Sequence, residues 1–120
     1  MTLFHCTKGT VKAAAKATHP IAEECPRLKA VLRANPEYGV VIPGTSGLRK
    51  MRVRVKGLKG QRSGYRAIYS KHETDDGVRI AFHYVYYKGD AADLHPDQYS
   101  SLRAEAEQLA RGLNHVAWSD

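Results

Sequence analysis

Between Lys50 and Lys56 the chain alternates cationic and apolar residues, KMRVRVK, with Met51, Val53 and Val55 opposite Lys50, Arg52, Arg54 and Lys56. A period of two predicts a half-buried β-strand with a cationic outer face. The following GLKGQRSG, residues 57–64, reads as a basic, Gly-rich hairpin loop leading into a second strand, GYRAIYS. HETDDG, residues 72–77, is expected to turn the chain, its Asp-Gly pair suiting a hairpin, and VRIAFHYVYY then follows. That run is nearly continuous in apolar and aromatic character, as a strand buried on both faces would be. Three strands joined by hairpins predict an antiparallel meander.

Helical periodicity marks both ends of the chain. Tyr99, Leu102, Ala106, Leu109 and Leu113 step by three and four between Pro96, suited to a first helical position, and Gly112, suited to the end. This helix is expected to cover one sheet face. Near the N-terminus an Ala-rich run, residues 12–17, is followed by an apolar stripe through Ile21, Cys25, Leu28, Val31 and Leu32. Pro26 either kinks one helix or opens a second that stops before Asn35-Pro36. Thr2 to Cys6 could form a short edge strand, and Pro43, Gly44 and Gly47 break the chain before the basic strand. The expected fold is therefore α+β: N-terminal helices beside a small antiparallel sheet, with a C-terminal helix. At 120 residues this is a single domain, with a helical part over 1–40, a basic sheet over 47–88 and the last helix over 95–112.

Charge sharpens this picture. The formal net charge is +7, and no Asp or Glu occurs from Tyr38 to His72, whereas nine of the nineteen Lys and Arg residues fall between Arg49 and Lys71. Solvated faces usually mix both signs, so an acid-free cationic face favours a polyanionic partner. No long apolar run suggests a membrane span or a signal peptide, which places the chain in the cytoplasm as an expectation. Cys6 and Cys25 lack CxxC spacing and are expected to be unpaired, buried thiols. The six histidines show no HxxxH or HExxH spacing, so no metal and no other cofactor is expected.

Four stretches together resemble the RelE superfamily of bacterial toxins, and most of all its HigB branch of mRNA interferases from type II toxin-antitoxin modules. They are IPGTSGLRKMRV (Ile42 to Val53), the basic hairpin, SGYRAIY (Ser63 to Tyr69) and VYYKGDAADLHPDQYSSLRAEAEQL (Val85 to Leu109). They occur in the family's order over more than half the chain, while the first forty residues match poorly. The resemblance implies a RelE-like fold and metal-free cleavage of mRNA in the ribosomal A site. It also implies neutralisation by a cognate helix-turn-helix antitoxin; the free chain could be a monomer. By position, the family's catalytic pattern falls on Lys50, Arg52, Arg66 and Lys88. The tyrosine that some members carry after the last basic residue is replaced by Ala92, Asp93 and Leu94, so His95 or Tyr99 could substitute.

Such cleavage uses the RNA's own 2′-hydroxyl to attack phosphorus, leaving a 2′,3′-cyclic phosphate and a 5′-hydroxyl. The enzyme must take one proton, give another and stabilise charge on phosphorus. Arg66 suits the third task, because a guanidinium binds phosphate oxygens in bidentate fashion. A lysine crowded by cations yields its proton more readily, so Lys50 or Lys59 could be the base, and Lys88 could bind phosphate or protonate the leaving oxygen. Arg49, Arg54, Lys56 and Arg62 are expected to contact RNA, with Tyr69 and Tyr86 stacking on bases. His95 could cap a helix or join this surface. The competing reading is a non-catalytic module that holds RNA or the ribosome on the same face; a third is a domain that docks an acidic protein.

Overall fold

The computed structural model describes residues 1–10, 25–54, 64–87 and 94–120; for residues 25, 53 and 54 it describes the backbone alone. The elements are β1 (Thr2–Cys6), α1 (Cys25–Ala34), β2 (Val40–Val41), β3 (Arg49–Arg54), β4 (Gly64–Thr74), β5 (Gly77–Tyr87), α2 (Pro96–Arg111) and a 3₁₀ turn at Leu113–His115. Among the described residues five strands form one sheet in the order β1-β5-β4-β3-β2. The fold is α+β as expected, and β3, β4 and β5 are antiparallel neighbours. The sheet is nevertheless mixed and not a pure meander, because β1 runs parallel to β5, from Thr2 opposite Val78 to Cys6 opposite Phe82. The physical reason lies in β5: its apolar length would otherwise present an open edge, and the N-terminal strand closes it.

Side chains alternate between the two sheet faces, with one break at a bulge between β4 and β5. On one face Leu28 and Leu32 of α1 pack with Phe4, Met51, Tyr65, Ala67, Tyr69, Ile80, Phe82 and Val85. On the other, Tyr99, Leu102 and Ala106 of α2 pack against Leu48, Ile68, Tyr84, Tyr86 and Leu94. Each fully buried aliphatic or aromatic side chain contributes about 1.5–3 kcal/mol, so both helices are held mainly by these stripes. Pro26 lies in the first described turn of α1, while the Ala-rich run and Ile21, on which the two expectations for the N-terminal stripe turn, lie outside the described residues. The helix stops where expected: Asn35 N–H bonds back to Val31 O, and Asn35 Oδ1 accepts from Glu37 N–H in a local turn.

Two details depart from the sequence reading. β4 continues to Thr74 and β5 starts at Gly77, so the turn shrinks to Asp75-Asp76, with Gly77 at φ 129° taking the left-handed conformation. Cys6, at the end of the edge strand, is exposed and not buried as expected; the side chain of Cys25 lies outside the described residues. A β-bulge opposite Ile68 and Tyr69 has a further effect. Ile68 pairs with Tyr84 and Tyr69 with Phe82, which leaves His83 as the additional residue and places both His83 and Tyr84 on the α2 face. No described helix is long and apolar enough to cross a membrane.

Candidate functional site

The β3 alternation sends Met51 into the core below α1 and Lys50 and Arg52 to the α2 face. Register then builds a rung across three strands: Arg52 lies opposite Arg66, and Arg66 lies opposite Tyr86. One rung further, Lys50 faces Ile68. Helix α2 adds the fourth member. His95 caps it, accepting from Asp97 N–H through Nδ1 while its own N–H donates to Gln98 Oε1 at 2.8 Å, and Pro96 opens the first turn. This fixed start directs Tyr99 back over the sheet. Lys50 Nζ donates to Tyr99 Oη at 3.1 Å and lies 5.7 Å from the centre of its ring.

Lys50, Arg52, Arg66 and Tyr99 line one open groove of about 590 Å³, whose rim comprises Tyr38, Val40, Val41 and Pro43. Among the described residues that line it there are three cations and no carboxylate. Arg66 is the buried member, 6% exposed, and donates from Nη1 to Tyr65 O at 3.2 Å. Burial first, and the charge of Arg52 second, lower its proton affinity from the ordinary arginine value, without threatening its charge at neutral pH. Two guanidinium groups on adjacent strands, one of them largely desolvated, have the chemistry to hold phosphate oxygens.

Other residues singled out from sequence lie elsewhere. Arg49 is on the α1 side, where Nη1 donates to Gly39 O at 2.8 Å and to Glu37 O at 3.2 Å; it fastens a loop and does not face the groove. Tyr69 is fully buried in the core and cannot stack on a base. Its hydroxyl donates to Pro36 O and accepts from Gly39 N–H, each at 2.9 Å, and burial raises its pKa above the usual tyrosine range. Tyr86 is 6% exposed and packs with Ile68 and Leu94, so it supports the rung and offers little open ring surface. His95 is an exposed helix cap. Arg54 closes β3 in register with Gly64. Lys56, Lys59, Arg62 and Lys88 lie outside the described residues. Lys71, the last cation of the acid-free run, donates to Glu37 at 2.7 Å and Glu73 at 3.1 Å, and these contacts hold its charge more firmly than usual.

Sequence reading passed over the groove's rim. Tyr38, Val40 and Val41 are 54%, 76% and 45% exposed, an apolar edge beside three cations that can meet the faces of bases. The available signal was a short apolar run between Pro36 and Pro43 without a periodic partner. No protein-family model matches the chain.

Proposed function

We propose that the protein is a metal-free endoribonuclease acting on mRNA at the ribosome, a toxin of the type II toxin-antitoxin kind, whose active groove contains Lys50, Arg52, Arg66 and Tyr99. The carrying observation is the buried Arg66 directly across from Arg52, with the Lys50–Tyr99 pair opening into the same groove. The resemblance of four ordered sequence stretches supports the ribosomal and antitoxin parts of this reading.

In this mechanism Arg66 and Arg52 hold the non-bridging phosphate oxygens and bear the charge that develops on phosphorus. With Lys50 Nζ as the donor in its bond to Tyr99, the phenolic proton is directed elsewhere, and Tyr99 supplies it to the departing 5′-oxygen. The base that activates the 2′-hydroxyl is a lysine of the same basic segment. Tyr99 thus takes the place of the family tyrosine whose position here is occupied by Ala92, Asp93 and Leu94. Tyr38 and Val41 at the rim contact bases and leave sequence choice weak.

The test is induced expression of wild type and of Arg66→Ala, with mapping of RNA ends. Growth arrest with cyclic-phosphate ends inside translated codons, lost in Arg66→Ala, is expected. RNA or ribosome binding without new ends would instead establish the non-catalytic binding module. Unimpaired growth under abundant folded wild-type protein would remove the toxin reading.

A further inference from the structure

At the far end of α2 from the groove, a second set of groups converges on β4. Ser70 Oγ lies 2.7 Å from His83 Nε2, and His83 Nδ1 lies 2.6 Å from Glu105 Oε1. From the other side His72 Nε2 lies 2.7 Å from the same Oγ. Ser70 is 5% exposed and the His83 side chain fully buried. Proton accounting allows one order when both histidines are neutral. The Glu105 carboxylate requires a proton on His83 Nδ1, so His83 Nε2 accepts from the Ser70 hydroxyl, and His72 Nε2 donates to Ser70 Oγ. Burial and the facing His83 lower the pKa of His72, which keeps it in the neutral form this order needs.

We infer that Ser70, His83 and Glu105 form a nucleophilic triad that takes short, uncharged carboxylic esters, separate from the RNA groove. Nucleophile, base and orienting carboxylate occur in the sequence of contacts such chemistry requires. Ser70 and His72 open on a cavity of about 190 Å³, also lined by the 45–48 turn, Ala106 and Ala110. That volume admits an acyl group of a few carbons and excludes a nucleotide. The charges beside it are already engaged: Arg103 pairs with Glu107 at 3.0 Å and donates to Gly44 O, and Lys71 is held by Glu37 and Glu73. An uncharged substrate therefore suits the cavity better than an anion. The turn that lines the cavity has positive φ at Ser46 (57°) and Gly47 (104°), with Gly44 (76°) just before it.

In the reaction Ser70 Oγ bonds to the ester carbonyl carbon while its proton passes to His83 Nε2. The resulting imidazolium, held by Glu105, returns that proton to the departing alkoxide as the ester C–O bond breaks. Water then attacks the acyl-serine, giving one proton to His83 Nε2 and its hydroxyl to the acyl carbon; His83 passes that proton to Ser70 Oγ as the acyl–Oγ bond breaks and the acid leaves. His72 is a positioning residue that fixes the Oγ lone pair away from attack until the substrate arrives.

The full chain is incubated with p-nitrophenyl acetate and, separately, with a fluorophosphonate, and followed by nitrophenolate release and intact mass. A single covalent adduct mapping to Ser70 is expected, absent in Ser70→Ala and formed at least about a hundredfold more slowly in Glu105→Gln. Both variants are checked by thermal melting. Glu105→Gln keeps the hydrogen-bonding shape, so a slower rate in a folded chain separates chemistry from packing. No adduct on folded wild type, or an adduct rate unchanged by Glu105→Gln, would overturn the triad and leave a buried tether between β4, β5 and α2. Ser70→Ala is expected to leave RNA binding unchanged, so failure here and failure of the nuclease reading are distinct.

Discussion

Arg66→Met separates binding from stability with opposite signs. In the wild-type protein a nearly buried guanidinium faces Arg52 across β3 and β4. Like charges directly opposite across strands cost up to about 1 kcal/mol, and desolvation of the buried head adds roughly 1–2 kcal/mol. The substitution forfeits the bond to Tyr65 O, worth about 1 kcal/mol, while a methionine of similar length keeps the contacts of the stem. The net expectation is a gain of up to about 2 kcal/mol, or at most roughly 10 °C in Tm for a chain of this size. The ligand response should reverse. A single-stranded oligonucleotide at ten times its Kd stabilises the wild type by about 1.4 kcal/mol, whereas Arg66→Met should show little or no shift. RNA cleavage should fall by about a hundredfold or more. Calorimetric melting with and without the oligonucleotide measures both effects on one sample. A variant that melts lower than wild type yet keeps its oligonucleotide shift would show that Arg66 serves the fold alone, and would refute the reasoning.

Three further perturbations address neighbouring parts of the structure. Tyr99→Phe removes the oxygen that accepts from Lys50 but keeps the ring; melting should change by less than about 0.5 kcal/mol while single-turnover RNA cleavage falls at least about a hundredfold. In Gly39→Ala the new methyl would lie 2.9 Å from Tyr69 Cε1 and 3.0 Å from Lys50 O, so denaturant unfolding should show a loss of about 1–3 kcal/mol and a weaker hold on the groove rim. For pH, His72 is held below the ordinary histidine value of 6.5, so the unfolded chain binds the proton more readily than the folded one. Its contribution is complete above that value and is lost as pH falls through the lower folded value, so unfolding free energy should decline on acidification below about 6.5. His72→Gln should flatten that decline in urea titrations at several pH values.

The alternation in KMRVRVK and the three-four steps from Tyr99 to Leu113 determined β3 and α2, because each is a local pattern with one economical way to bury its apolar side. The same patterns put Lys50, Arg52 and Arg66 on strands, and the acid-free composition made their segment positive. Tertiary structure decided which of these cations meet. Arg49 looks equivalent to Lys50 in sequence, yet one step along a strand sends it to the opposite face and into the 37–39 loop. Tyr69 and Tyr99 were both candidate aromatics; strand parity buried the first, and the cap at His95 aimed the second at Lys50. Nor could sequence show β1 beside β5, a parallel pairing between residues more than seventy positions apart with no hairpin to announce it. Least legible of all was the array around Ser70: a single bulged residue turns His83 toward α2, and register brings it within 2.7 Å of Ser70 and 2.6 Å of Glu105. Local pattern governs which face a residue takes within its own element, while register, bulges and helix docking govern what it meets there.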